Sequence, residues 1–566
     1  MSFEIEVNKK IIRVKKGETI LSALKRNGIV VPTLCNLKEL NPTGGCRLCV
    51  VEVEGEENLV PACSYPINQW LRVKTHSPRV IQARRTLVEL LLANHPNDCL
   101  YCIRNGSCEL QNLAKELNIN ERRFFGEHTF HKIDRSSPAI VKDLEKCILC
   151  NRCIRVCEEI QTVSAIDRIG RGGQSAVGPE FNNGLNVSTC VACGQCVVAC
   201  PTGALHEKEN TFQIKDAIND PKKHVVVQYD PTISVSIASE FGLKPGKDIN
   251  GILNAALRII GFNKVFTTAF GNDLQIIELA HQLKQNMSQK NAKALISSCC
   301  PSWRSFVDQF FPEYKDLLSD LKSGQQILGA IIKTYYADIM QIDPANIFTV
   351  SITPCTARKL EAEEYMINGF NEVDAAITTR ELASFIKMHG INLNDIEEEL
   401  SDLPFGMRSS AGKLSAVAGG LTEGLMRTFH FTYGGKEING NKIQELRSGN
   451  GFREYEAKLN GKKIKCVAVN GLSNARILMD NIRSGKAKYD FIEVMACPKG
   501  CVSGGGQPVS SLDSRTKIRI KSIYELDSVA SIRQAHKNPG ILEIYKKLLI
   551  EAGGEKSKEL FCIKKN

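Results

Sequence analysis

Two cysteine runs restrict this chain more than any other feature: Cys147, Cys150, Cys153, Cys157, and then Cys190, Cys193, Cys196, Cys200 followed by Pro201. Each reads C-x2-C-x2-C-x3-C, and thiols so close in sequence converge on one metal group more readily than they pair as disulfides. In two-cluster runs of this kind the fourth cysteine of each run serves the other cluster. The spacing therefore assigns Cys147, Cys150, Cys153 and Cys200 to one 4Fe-4S cluster, and Cys190, Cys193, Cys196 and Cys157 to its twin. A structural zinc ion is the alternative. Glu158 follows Cys157 where a Pro is usual, which bears on packing rather than ligation.

Two further ligand sets precede these runs. Residues 3–16 alternate apolar and polar around Asn8-Lys9-Lys10, predicting a hairpin, and Glu18 to Arg26 predicts a short helix closed by Asn27-Gly28. The sheet and helix lead into a Gly- and Pro-rich loop carrying Cys35, Cys46, Cys49 and Cys63, four thiolates that suit a 2Fe-2S cluster or, alternatively, zinc. After an apolar helical stretch from Leu87 to Ala93 come His95, Cys99, Cys102 and Cys108. One neutral imidazole with three thiolates can hold a further 4Fe-4S cluster, and exchanging thiolate for imidazole raises the potential. A purely structural His95 is the competing reading.

The chain has 566 residues, 43% hydrophobic and 24% charged, enough for several packed domains. Its 22 cysteines, grouped as metal ligands, imply a reducing compartment. The N-terminus has no basic region followed by an apolar core, and no apolar run reaches the ~18 residues of a membrane helix, so a cytoplasmic protein with no membrane partner is expected. The net charge of +11 suits either solubility or steering of an acidic redox partner. Nucleic acid is not expected, since aromatic residues are 6% and no helix-turn-helix or zinc-finger spacing occurs.

From about His224 the texture becomes α/β. Val225 to Val227, Ala294 to Ser297, Phe348 to Ile352, Cys466 to Val469 and Phe491 to Val494 predict buried strands, with helices such as Ile252 to Ile260 and Gln325 to Ala337 between them. Three of the strands run into loops bearing Cys299-Cys300, Cys355, and Cys497 with Cys501. Loops beyond strand C-termini are where open α/β sheets bind ligands, so one redox site built from all three is the economical reading.

The three loops together with the upstream cluster series resemble the FeFe-hydrogenases, the long single-chain clostridial type with accessory clusters. A family loop T-S-C-C-P-x-W is matched by Ser297 to Trp303, a P-C-T-x-K-x-x-E-like loop by Pro354 to Glu361, and E-x-M-A-C-x-x-G-C-x-x-G-G-G-Q-P by Glu493 to Pro508. The segment Ile520 to Leu549 resembles the family's small-subunit-like tail. The fold implied is multidomain, α+β and α/β: a β-grasp 2Fe-2S ferredoxin-like domain (1–78), a His/Cys3 4Fe-4S domain (79–138), a 2x4Fe-4S ferredoxin-like domain (139–210), a two-lobed α/β H-cluster domain (211–514) and the small-subunit-like segment (515–566). By the resemblance, Cys300, Cys355, Cys497 and Cys501 hold the 4Fe-4S part of an H-cluster, and Cys501 bridges to a diiron unit bearing CO, cyanide and a dithiolate amine. Maturation proteins would install that unit, whose open iron acts as a Lewis acid toward H2 while the amine takes the proton. Cys299 matches the proton-relay thiol; Ser319, Ser323 and Gln325 match polar positions near the relay or diiron unit; Pro231 and Thr232 belong to the pocket. Cys466 and Cys562 are expected to be plain thiols.

Departures from the family pattern cluster around proton transfer. The relay helix ordinarily offers two adjacent glutamates and a third four positions after the first; here stand Glu278, Leu279 and Gln282. Neither Leu nor Gln exchanges protons as a carboxylate does. Arg358 replaces the usual Lys, keeping charge with different geometry. Thr353, Ala357 and Ser415 stand where Met, Ser and Phe are common, and Asp230 replaces a small residue. The expectation is an altered diiron pocket with Asp230 or Glu278 supplying a substitute proton path.

The function expected is a ferredoxin hydrogenase, interconverting H2 with protons and electrons and relaying them through one 2Fe-2S and three 4Fe-4S accessory clusters. Competing readings are a slow redox or H2 sensor, an electron-relay subunit like the cluster-bearing part of complex I, and the catalytic subunit of an NADH-linked bifurcating complex. No PAS-like or kinase segment favours the sensor, and a complex I relay lacks the three C-terminal loops. No glycine-rich nucleotide fingerprint is present, so NADH would require another subunit.

Overall fold

Alternation at the N-terminus produces the expected hairpin: Ser2–Val7 (β1) pairs antiparallel with Lys10–Lys15 (β2), burying Ile5 and Val7 against Ile12 and Val14. Helix α1 (Ile20–Arg26) follows, capped by the Thr19 hydroxyl on Ser22 N and ended by Asn27, with Gly28 at positive φ. Val50–Val53 (β3), Val60–Pro61 (β4) and Arg72–Lys74 (β5) complete a sheet of order β2-β1-β5-β3-β4, in which β1 and β5 run parallel. Helix α2 (Pro78–Ala93) starts on a Ser77 cap with Pro at its first position, where a missing N–H costs nothing, and α3 (Glu109–Glu116) begins directly after Cys108.

This computed structural model describes residues 2–38, 40–126, 131–290, 292–438, 443–449, 451–508 and 513–563. The chain forms two compact units. One comprises Met1–Glu159, Ser164–Ser188 and Ala199–His206; the other Ile160–Val163, Thr189–Val198 and Glu207–Asn566. The division runs through the segment 139–210 rather than along its edges.

The twin cysteine runs repeat in backbone as well as in spacing. Leu149 (φ 51) and Ala192 (φ 53) each stand between the first two cysteines of their run, and Asn151 (φ 61) and Gly194 (φ 68) each follow the second. Left-handed conformation is costly for Leu and Ala. Its recurrence at matched positions shows that the two runs make the same backbone turn.

In the second unit the predicted strands form two separate sheets. His224–Tyr229 (β6) is followed by α4 (Pro231–Ser236), Lys264–Thr267 (β7) and α5 (Ala269–Met287). Leu295–Ile296 (β8), α6 (Gly324–Ile331), Ile347–Thr353 (β9), α7 (Ala357–Glu364) and Ala375–Thr378 (β10) come next. Phe452–Leu459 (β11), Lys462–Asn470 (β12) and Phe491–Met495 (β13) complete the set. One sheet, β7-β6-β9-β10, is wholly parallel; the other, β8-β13-β12-β11, is parallel except for its edge strand β11. The predicted helix Gln325 to Ala337 is continuous but passes through a π turn at Ile332–Tyr336.

The C-terminal segment is held by buried polar groups as well as by apolar packing. Ile541, Ile544, Leu549, Leu560 and Phe561 join the core beneath α5 and α6. Glu278 on α5 accepts the Tyr545 hydroxyl at 2.6 Å and the Gly553 N–H at 2.8 Å. On Asp513–Ser528 (α8), buried Asp527 pairs with Arg427, Arg447 and Arg533. Among the described residues no helix is long and apolar enough to cross a membrane.

Candidate active site

Cys300, Cys355 and Cys497 follow β8, β9 and β13, so two sheets deliver three loops to one place. Cys501 lies on the same loop as Cys497, after Gly500, whose positive φ and close approach to the Ala418 N (2.6 Å from an added Cβ) leave no room for a side chain. Burial is the leading influence on all four thiols and raises their pKa, that of Cys355 to about 12; the thiols also raise one another. Such groups shed protons only where a cation replaces them. Backbone N–H groups of Ser302, Trp303 and Ala496 point at Cys300, and those of Ala357 and Arg358 at Cys355. Four mutually close sulfurs, those of Cys355 and Cys497 on buried residues and those of Cys300 and Cys501 on half-buried ones, with N–H donors at Cys300 and Cys355, fit an iron-sulfur cluster.

The pocket beside these thiols is a polar lattice. The Arg358 guanidinium donates to Glu361 at 2.5 Å and to the Cys299 carbonyl at 3.0 Å, and Ser323 donates to the same Glu361 oxygen at 2.9 Å. Burial opposes the Arg358 charge, but Glu361 and Cys355 more than reverse this and raise its pKa. Gln325 accepts from Ser351 at 2.7 Å and donates to the Arg358 carbonyl at 3.4 Å. Thr353 ends β9 with its hydroxyl on the Cys355 N–H, and Ala357 is the fully buried first residue of α7. Pro231 and Thr232 open α4, which Asp230 caps through Thr232 N at 2.8 Å and Oγ1 at 2.7 Å. Burial raises the Asp230 carboxyl, the Thr232 bonds and Arg358 opposing it; its charge in turn acts on Cys501. Burial likewise drives Cys299 up to about 12, while Ser297 donates to its sulfur at 3.2 Å.

The remaining expected site residues have these partners, Ser319 adjoining the strand before Cys299 through its N–H on the Ile296 carbonyl at 2.7 Å. Ser319 donates to Gln282 at 2.7 Å, and Gln282 donates to Asp320 at 2.6 Å, while Leu279 is buried in the core. Glu278 has both oxygens engaged by the C-terminal segment, whereas Asp230 acts through its charge on Cys501. Ser415 turns back on its own helix, 3.4 Å from the Ala411 carbonyl. Cys466 is wholly buried and Cys562 half-buried.

The first unit carries its ligands in matching surroundings. Cys35 pairs with Cys46 and Cys49 with Cys63 through sulfur–sulfur hydrogen bonds, as two irons held by two thiols each would require. The partner thiol lowers Cys35 to about 5 and Cys63 to about 7. Buried His95 has lost basicity to desolvation and its Nδ1 lacks a hydrogen-bond partner, which suits a metal-bound neutral imidazole. Cys147, Cys150, Cys153 and Cys200 line one cavity together with Ile148, and the Leu149 N–H points at the Cys147 sulfur from 3.4 Å.

Two contributors escaped the sequence reading. Gln195 reaches Cys497, and Glu493, noted there only as part of a motif, is wholly buried before the Cys497 loop, where it accepts Gly419 N, Thr422 N and Thr422 Oγ1. A polar residue between two ligands is a visible signal, but which neighbour it faces is a tertiary fact.

The family profile "Iron only hydrogenase large subunit, C-terminal domain" matches residues 223–505, and "Iron hydrogenase small subunit" matches 513–561. Residues 1–78, 84–123 and 137–206 match a 2Fe-2S cluster binding domain, the iron-sulfur binding region of NADH-ubiquinone oxidoreductase G, and the ferredoxin-like domain of NADH-quinone oxidoreductase subunit 3. The chain is 39% identical over 570 residues to the NADP-reducing hydrogenase subunit HndD of Solidesulfovibrio fructosivorans, covering 98% of this chain and 97% of that one. It is 33% identical to iron hydrogenase 1 of Clostridium pasteurianum, with 96% of each covered. A solved structure of FeFe-hydrogenase HydA1 from Chlamydomonas reinhardtii superposes with a TM-score of 0.57 at 32% identity, covering 62% of this chain and 97% of that chain.

Proposed function

Because the chain belongs to the iron-only hydrogenase family, we propose that it interconverts H2 with protons and electrons at a cluster held by Cys300, Cys355, Cys497 and Cys501. The observation that carries this reading is the convergence of four buried or half-buried thiols from three loops beside the Arg358–Glu361–Ser323 lattice. When bound, the H-cluster supplies an open iron for H2 and a pendant base for its proton. The chain's residues do the rest. Arg358 fixes the Cys299 carbonyl and offers a cation to anionic ligands in the pocket; Gln325 and Ser323 hold its surroundings. Cys299 and Asp230, both half-buried and both with desolvation raising their pKa, are the acid–base groups at the pocket wall.

In this proposal the first unit is the electron wire, with one 2Fe-2S cluster, the His95 cluster and a 4Fe-4S cluster on Cys147, Cys150, Cys153 and Cys200; the twin completes three accessory 4Fe-4S clusters. Exposed Cys99, beside exposed Leu100 and Tyr101, supports the His95 cluster as a place where an external carrier meets the chain. A ferredoxin or similar acidic carrier suits the charge of +11. A second reading, the catalytic subunit of an NADP- or NADH-linked complex, is favoured by likeness to an NADP-reducing hydrogenase subunit along nearly the whole chain. The test is H2-dependent reduction of viologen, ferredoxin and NADP+ by chain produced anaerobically with the maturation proteins. Viologen reduction that Cys501→Ser abolishes supports the reading. Wild-type protein inert toward viologen and H2 refutes it, and NADP+ reduction only after a flavoprotein is added selects the second reading.

A further inference from the structure

The loop Cys190–Cys196 is seated against the catalytic loops with no room to spare. The Thr356 hydroxyl, next to ligand Cys355, donates to the Ala192 carbonyl at 2.7 Å. A Cβ on Gly505 would stand 2.5 Å from the Cys193 carbonyl and 2.7 Å from Gly194 Cα, so only glycine allows this approach. From this seat buried Gln195 points its amide into the catalytic site: Nε2 lies 3.4 Å from the Cys497 sulfur and 3.0 Å from the Ser503 carbonyl. Cys497 also senses the charge of Cys193.

We infer that Gln195 is a positioning residue for electron transfer, a hydrogen-bond donor that links the Cys190–Cys196 loop to the Cys497 thiolate and sets the potential of the catalytic 4Fe-4S cluster. The inference rests on the cluster assignments in the proposed function. Its physics is that an N–H donor favours whichever redox state carries more negative charge on sulfur, namely the reduced one. The Ser503 carbonyl takes the second amide hydrogen and fixes the side chain, so the donor is oriented before an electron arrives. One electron leaves one cluster and arrives at the other. The amide is neither oxidised nor reduced and transfers no proton.

The test uses the full chain produced anaerobically without the maturation proteins, so that iron-sulfur clusters form but no diiron unit does. The catalytic cluster's electron paramagnetic resonance signal is assigned as the one missing in Cys355→Ser. In Gln195→Leu its oxidised-to-reduced ratio at the wild-type midpoint should rise about tenfold, or ~59 mV for a one-electron couple. Gln195→Glu, acceptor-only and anionic, should shift it further the same way. Wild-type protein labelled with 15N-glutamine should show hyperfine coupling from one side-chain nitrogen and an exchangeable proton, absent in Gln195→Leu. An unchanged potential in Gln195→Leu at full iron content, or no such coupling in wild type, overturns the inference. If the shift occurs but matured protein shows no metal carbonyl bands, the role of Gln195 stands and the hydrogenase reading falls.

Discussion

Replacing Glu278 separates a carboxylate that anchors the chain's end from one that carries protons. Its two oxygens accept Tyr545 OH and Gly553 N–H, each a charge-assisted hydrogen bond worth about 1.5–3 kcal/mol. In Glu278→Gln the amide oxygen can still accept from Tyr545, but the amide nitrogen then faces the Gly553 N–H, donor against donor. One bond is lost, and local opening of the segment should become about 10–150-fold easier. Glu278→Ala loses both and leaves the Tyr545 hydroxyl buried without its acceptor, costing about 3–6 kcal/mol before relaxation. Hydrogen exchange of amides in residues 545–563 of the full chain reads this directly, with H2-dependent viologen reduction measured on the same samples. The expected result is faster exchange in the order Ala, Gln, wild type, with turnover in Glu278→Gln within a factor of two or so of wild type. Unchanged exchange with a tenfold loss of turnover would refute the reasoning and make Glu278 a proton carrier.

Asp230→Asn removes the titratable carboxyl but keeps an oxygen for Thr232, so turnover should fall about tenfold or more with iron content unchanged; full turnover would remove Asp230 from the proton path. Asp527 is pulled well below the usual carboxylate range: burial acts to raise it, but Arg427, Ser410 and Arg533 more than reverse that. A depressed folded-state pKa gives stability that is complete above the unfolded value of about 3.9 and is lost as pH falls below it toward the folded value. Protection of residues 515–528 should therefore hold from neutral pH to about 5 and decline below about 4, while Asp527→Asn should lose up to about 3 kcal/mol near neutrality, since Arg427 and Arg447 keep Glu423 as a partner. Hydrogen exchange at pH 7, 5 and 3 measures both. His95→Cys should keep a full iron count but lower the potential of that cluster, read by potentiometric paramagnetic resonance; an unshifted potential would mean His95 is no ligand.

Most of the architecture was legible because cluster ligation and strand burial leave local marks. The twin runs marked their thiols by equal spacing; the left-handed turn repeated at Leu149 and Ala192 is a backbone feature that the spacing alone did not state. Apolar runs located β6, β8, β9, β12 and β13 and placed Cys300, Cys355 and Cys497 at strand ends. Their division into two sheets was not legible, since local hydrophobicity does not specify strand neighbours. The π turn at Ile332–Tyr336 was equally hidden within an unbroken helical pattern. Side-chain destinations were the least legible. Glu278 and Asp230 were equal candidates by residue type, yet one meets a segment 267 positions later and the other caps a helix two residues away. Gln195 faces Cys497 across 302 positions, which no spacing rule reaches.

The central claim is that Cys300, Cys355, Cys497 and Cys501 house a hydrogen-activating cluster. Infrared spectroscopy of anaerobically matured protein in the metal carbonyl and cyanide region, first under argon and then under H2, tests it most directly. The account predicts carbonyl and cyanide bands that shift on adding H2 and are missing in Cys501→Ser. A protein with its full iron complement and no such bands would contradict it, leaving an iron-sulfur relay without a hydrogen site.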